Sequence, residues 1–296
     1  MSYIFKKSFR LKAGKKEYQY SLGKDELPSF MGGMFGKSQE ISGLDEFINI
    51  INESEDACHF SFYALSQEDL DMILKALKKR IVSFNYCEIK EENKTLDFRY
   101  LKLCKKLVSV EIAYHNKYVK LWNTRFNHKL EELKITDCKR LFNQKGLEGC
   151  SAKSVTIRRY AHGASDTKEL MIKDFSVFET MPNLESLNLF IKKKKDKSKD
   201  LISLSKLENI KEIYLPKNYF FFNQYAWLTS KLPNVKGIGC YRVEYDHANE
   251  MDGYIINGSR MCWYVRGFEK AKLKRYQKKF DELVQTYKND TIPPIN

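Results

Sequence analysis

Leu130-Glu131-Glu132-Leu133-Lys134-Ile135-Thr136-Asp137-Cys138 decides how this chain is read. Its form is L-x-x-L-x-L-x-x-C/N. Successive side chains of a strand alternate, so Leu133 and Ile135 share one face while Lys134 points from the other. Leu130 packs the incoming segment against the same core, and a Cys or Asn at the end can satisfy backbone groups where the chain turns inward.

The form recurs in both directions. Good copies are Leu184-Glu-Ser-Leu187-Asn-Leu189 and Ile210-Lys-Glu-Ile213-Tyr-Leu215-Pro-Lys-Asn218. Looser ones are Ile81–Tyr86, Leu107–Ile112, Ala152–Ile157 and Val235–Cys240, with Cys58-His-Phe60-Ser-Phe62 as the opening strand. The central apolar residues stand at 60, 84, 110, 133, 155, 187, 213 and 238, at intervals of 24, 26, 23, 22, 32, 26 and 25 residues. Periods of this size mark a stacked repeat. The long interval holds Ala161-His-Gly-Ala-Ser-Asp166, which reads as an insertion. Met181-Pro182-Asn183 and Leu232-Pro233-Asn234 mark the same place in two units. One repeat cannot bury its own apolar face, whereas stacked neighbours form a continuous parallel ladder. Between strands, Ser66-Gln-Glu-Asp69 caps a helix whose apolar residues are Leu70, Ile73, Leu74 and Leu77.

These units resemble the repeats of bacterial leucine-rich-repeat proteins of the compact intracellular type, on Leu130–Cys138, Leu184–Leu189, Ile210–Asn218 and Leu232–Cys240. The resemblance covers about residues 58 to 240. It implies an α/β solenoid with parallel strands on a concave face and helices outside. It further implies protein recognition as the commonest role, including that of immunity or antitoxin partners in bacterial toxin systems.

Both ends of a solenoid need covering. Residues 1–56 read as an N-terminal cap with strands at Tyr3–Phe5 and Tyr18–Tyr20, a glycine-rich loop at Met31–Gly36 and a helix at Leu44–Ile51. Those glycines lack the spacing of a phosphate-binding loop. Residues 57–240 form the solenoid and 241–296 a C-terminal cap. In the latter, Asn257-Gly258 predicts the turn of a hairpin. Phe268, Leu273, Tyr276, Phe280, Leu283 and Tyr287 predict a helix that docks by its aromatic stripe, followed by a free tail at Thr291–Asn296.

In this register the residues between core positions face outward. The partner-binding residues predicted are Glu111, Lys134, Arg158, Asn188, Phe190, Tyr214 and Tyr241. Ser61, Asn85, Thr156 and Gly239 accompany them, with Glu132 and Glu212 among the flanking neighbours. Tyr214, Tyr241 and Phe190 are of the type enriched at binding hot spots.

Chemistry finds no motif here. The five histidines are dispersed, no H-E-x-x-H or G-x-S-x-G is present, and the seven cysteines form neither a C-x-x-C pair nor a zinc spacing. The expectation is a non-catalytic protein without cofactor or metal, its thiols reduced in the cytoplasm. No apolar run is long enough to span a membrane, and the first residues lack the apolar core of a secretory leader. The net charge of +14 favours an acidic partner. The rival expectation is nucleic-acid binding by basic loops, above all Lys192, Lys193, Lys194 and Lys195, with Arg158-Arg159-Tyr160 and Lys272–Arg275 adding charge.

Overall fold

The computed structural model describes residues 8–13, 16–22, 39–41, 44–53, 57–63, 65–88, 95–114, 118–136, 140–142, 144–158, 172–191, 197–216, 218–246, 251–258 and 270–295. It is a mixed α/β protein in two compact units, residues 1–170 and 171–296.

The first unit opens with β1 (Ser8–Ala13), β2 (Lys16–Leu22) and β3 (Gln39–Ile41), then α1 (Leu44–Glu53), β4 (Ala57–Tyr63) and α2 (Gln67–Leu77). β5 (Ser83–Glu88), β6 (Thr95–Asp97), β7 (Ser109–Tyr114), β8 (Tyr118–Lys120), β9 (Glu132–Thr136), β10 (Arg140–Phe142) and β11 (Ser154–Arg158) follow. Its main sheet runs β3-β2-β1-β4-β5-β7-β9-β11. The five strands from β4 to β11 are parallel, and β1 is antiparallel to both of its neighbours.

The predicted alignment of core residues is the observed register. Phe60, Phe84, Val110, Leu133 and Val155 lie side by side, and so do Phe62, Tyr86, Ile112, Ile135 and Ile157. All ten are buried. Aromatic rings fill the early end of this core: Phe62 lies 5.6 Å from Phe84, and Phe98 packs edge-on against Phe84 and Tyr86. Branched aliphatic side chains take over from β7 onward.

The strands start alike. The Val82 carbonyl accepts from the N–H groups of both Val108 and Ser109, Val108 from Glu131 and Glu132, and Glu131 from Lys153 and Ser154. In the second unit Glu185 accepts from Lys211 and Glu212 in the same way. A shared acceptor at each strand entry fixes the register locally, which matters because a slip of one residue turns every core side chain outward.

Helix α2 has the expected cap: the Ser66 hydroxyl accepts from the Asp69 N–H, and the Asp69 carboxylate accepts from the Ser66 N–H. Among the described residues the next three turns carry no α-helix. They pass through short 3-10 turns at Arg99–Leu103, Thr124–Phe126 and Gln144–Leu147. Before each turn lies a three-residue strand, and β6, β8 and β10 form a second parallel ladder in which Leu96, Val119 and Leu141 are neighbours.

Behind these turns Cys104, Asn127 and Cys150 recur 23 residues apart, all buried. Each N–H bonds to the carbonyl three residues earlier, at 2.9, 2.9 and 3.0 Å. Asn127 also ties one turn to the last. Its Nδ2 donates to the carbonyls of Leu101 and Cys104, both at 2.9 Å, and its Oδ1 accepts from Trp122 Nε1 at 2.8 Å.

The second unit holds α3 (Ser176–Glu179), β12 (Ser186–Phe190), α4 (Ser198–Ser205), β13 (Glu212–Tyr214) and α5 (Phe222–Lys231). β14 (Tyr241–Asp246), β15 (Met251–Ile256) and α6 (Lys270–Thr286) complete it. β12 and β13 are parallel with Leu187 beside Ile213, as aligned from sequence. Phe175, Phe178, Tyr219, Phe220, Tyr225 and Trp227 supply a buried aromatic core.

Two expectations need correction in this unit, the last strand copy and the tail. Val235–Cys240 is not a strand: a single bridge joins Lys236 to Glu212, and Gly237, at φ +88°, turns the chain away although Ile238 stays buried. β14 and β15 form an antiparallel pair ahead of Asn257-Gly258, and the second arm of the hairpin expected there lies outside the described residues. The tail is docked, not free. Pro293 is buried, Gln224 Nε2 donates to the Pro294 carbonyl and Trp227 Nε1 to that of Asp290.

Candidate interaction surface

Since Phe60, Phe62 and their equivalents point inward, the alternate residues of β4–β11 form outward columns. The middle column is Ser61, Asn85, Glu111, Lys134 and Thr156, neighbours in register and each half-buried. The column beside it is His59, Ser83, Ser109, Glu132 and Ser154. A third ends on Thr136 and Arg158. Glu111 and Lys134 are therefore brought together, and Arg158 stands at the far end of β11.

These columns are polar and internally bonded. Lys134 Nζ lies 2.8 Å from Glu132 Oε1, Ser109 Oγ donates to Glu132 Oε2 at 3.2 Å, and Asn85 Nδ2 reaches Ser61 Oγ at 3.4 Å. The hydrogen bond that Lys134 donates to Glu132, with the charges of Glu132 and Glu111 behind it, raises its ammonium above its ordinary pKa. Both partners of this pair are more than a third exposed. Ion pairs of that kind contribute about 0–1 kcal/mol, so the cluster adds little stability.

In the second unit Asn188 sits beside Tyr214 across β12–β13, and Phe190 ends β12 with 43 % of its surface exposed. Tyr241 opens β14, its ring 5.4 Å from that of Tyr254 and nearly perpendicular to it. Arg242, pointing the other way, donates to the Leu215 carbonyl at 2.6 Å. Val243 is exposed, and so is Phe221, which carries Lys197 Nζ 4.8 Å over its ring. Lys192, Lys193, Lys194 and Lys195 lie outside the described residues.

Glu132 and Glu212, noted above as flanking residues, belong to a column that the sequence pattern carries in full. The residue just before the central apolar one is Ser83, Ser109, Glu132, Ser154, Ser186 and Glu212 in successive copies. Two of these hydroxyls donate across the ladder to an adjoining Glu: Ser109 to Glu132 in one unit, and Ser186 to Glu212 at 2.6 Å in the other.

Among the described residues no three His, Cys, Asp or Glu side chains converge as a metal site. Cys104, Cys150 and Cys240 are buried free thiols. Burial pushes Cys104 and Cys240 up to about 12 and raises Cys150 as well, so the three remain protonated at neutral pH. Among the described residues no helix is long and apolar enough to cross a membrane. Comparison with protein-family models, with curated proteins and with solved structures finds no match to this chain.

Proposed function

We propose that this chain is a non-catalytic, leucine-rich-repeat-like scaffold of the cytoplasm that binds a protein partner through its strand-lined face. The role assigned is recognition, of the kind an immunity or antitoxin protein performs. One observation carries the reading. The inward positions of β4–β11 repeat one chemistry, whereas the outward column changes at every step from Ser61 to Asn85, Glu111, Lys134 and Thr156. Uniform inward residues stack coils; a varied, half-exposed outward column provides specific hydrogen-bonding groups at strand spacing, about 4.8 Å apart. The second unit by itself carries Phe190, Tyr214 and Tyr241, aromatic residues of the kind that protein interfaces favour.

The test is affinity capture from lysate of the source cell, with nuclease treatment. Baits are the wild type, Glu111→Lys/Lys134→Glu, and Tyr214→Ala/Tyr241→Ala. The reading expects a stoichiometric protein that survives nuclease and is lost with both variants. Capture that is indifferent to both variants overturns it.

A further inference from the structure

The strongest unassigned surface is the outer face of α6. Its inner face is committed: Tyr276 and Phe280 pack edge-on against Phe222 of α5, at 6.0 and 5.3 Å between ring centres. Phe280 is 2 % exposed. Beyond the helix, Lys231 Nζ and Ser230 Oγ of α5 hold the carbonyl of Tyr287. The helix is thus clamped along one side and at its end.

On the opposite side stand Lys274, Arg275, Lys278 and Lys279, all exposed. At 100° per residue they sweep an arc of about 140° centred opposite Phe280, within roughly 7–8 Å of helix axis. Lys274 with Lys278, and Arg275 with Lys279, are like-charge pairs at i, i+4, an arrangement that costs a helix about 0.2–0.5 kcal/mol per pair. No ion pair joins any of the four to another described residue. The nearest carboxylates along the helix are Asp281, which accepts from Gln277 at 2.8 Å, and Glu282.

We infer that this face is a sequence-independent site for the phosphate backbone of a nucleic acid. Three considerations select that partner. A basic amphipathic helix binds a membrane by burying its apolar face among lipid chains, and here that face is spent on α5. Protein interfaces gain their energy from aromatic and Arg anchors and are depleted in Lys; among these four exposed residues three are Lys and none is apolar. A polyphosphate needs no anchor, because neutralising it releases condensed counterions, and closely spaced point charges suffice. The inference is independent of the strand-face reading, since no residue of β4–β13 takes part.

Binding of a fluorescently labelled 20-base-pair duplex and a 20-nucleotide single strand is measured by anisotropy at 50, 100 and 200 mM salt. Phosphatidylserine vesicles and polyglutamate serve as competing polyanions. The full chain is compared with Lys274→Gln/Arg275→Gln/Lys278→Gln/Lys279→Gln. For four contacts, the slope of log K against log salt on the duplex is expected to become shallower by about 3.6 in the variant. Affinity at 100 mM salt is expected to fall at least tenfold.

Removing like charges relieves repulsion, so the melting temperature should hold or rise. Single Lys→Gln changes, each expected to lower the slope by about 1, provide the same reading if the quadruple variant does not fold. An Arg/Lys exchange at all four sites should keep the slope. Equal slopes in wild type and the Gln variants, no wild-type binding at 50 mM salt, or binding to vesicles or polyglutamate but not to nucleic acid would each overturn the inference.

Discussion

Asn127→Ala is the sharpest test of what fastens one turn of the first unit to the next. The substitution removes two donations, to the carbonyls of Leu101 and Cys104, and one acceptance, from the Trp122 indole. Both carbonyls keep a second partner: Leu101 accepts from the Cys104 N–H and Cys104 from the Leu107 N–H. Only the Trp122 N–H is orphaned, and Trp122 is 3 % exposed. A buried unsatisfied donor costs about 1–3 kcal/mol and each lost bond about 0.5–1.5, giving roughly 2–6 kcal/mol, centred near 4. For a unit of this size the central value lowers the melting temperature by about 8–16 °C. The assay is urea unfolding followed by circular dichroism at 222 nm, which stays valid when a tryptophan is changed. Trp122→Phe removes the donor itself, so in that background Asn127→Ala should cost only about 1–3 kcal/mol, and the double-mutant cycle should show coupling of similar size. A single-mutant cost under about 1 kcal/mol, or coupling within about 0.5 kcal/mol of zero, refutes the fastening argument.

Gly237→Ala should destabilise the second unit by about 2–4 kcal/mol, because the residue is left-handed at φ +88° and its new Cβ would lie 2.2 Å from the Ile213 carbonyl oxygen. Gly239→Ala, whose Cβ meets nothing within 4 Å, should stay within about 0.5 kcal/mol; equal melting temperatures for the two variants would refute the steric account. Burial pushes Cys104 up to about 12, whereas an unfolded thiol titrates near 8.5. Above that pH the unfolded chain has released a proton that the folded chain still holds, so stability falls as pH rises, by about 1.4 kcal/mol per unit for each such thiol until the folded pKa is reached. Urea midpoints between pH 8.5 and 9.5, below the range of unfolded tyrosines, should therefore drop less steeply for Cys104→Ala than for the wild type, and parallel slopes would sink the argument.

The central residues at 60, 84, 110, 133 and 155, and those at 187 and 213, were legible because a parallel ladder makes equivalent positions lateral neighbours. Any sequence that stacks must repeat its inward chemistry, and repetition survives substitution of Phe for Val or Leu. The second ladder was not legible. β6, β8 and β10 are three residues long, so each offers one central apolar residue and no alternation to detect. At Val235–Cys240 the apolar pattern was present and the backbone was not. Ile238 is buried as aligned, but Gly237 makes a close approach to Ile213 that no extended residue could make. The tail misled for another reason. Its two prolines describe local stiffness, while its position is set by Gln224 and Trp227, some 60–70 residues away.

The same separation of causes bears on where function resides. Cohesion between turns draws on the buried rows, the shared carbonyls at strand entries and Asn127, all of which face inward or lie in the backbone. The outward columns of the first unit hold Glu111 and Glu132 against Lys134 and Arg158, two acids and two bases, so the charge of +14 is not concentrated there. On the proposed reading, a near-neutral face with half-exposed hydrogen-bonding groups discriminates by geometry, with little dependence on salt. The clustered cations of α6 act by counterion release and depend steeply on salt. Two surfaces that answer so differently to ionic strength can be assigned separately by titrating salt alone. Their strengths also come from different sources: the first from the fixed spacing of the ladder, the second from charge density on a helix held in place by its aromatic side.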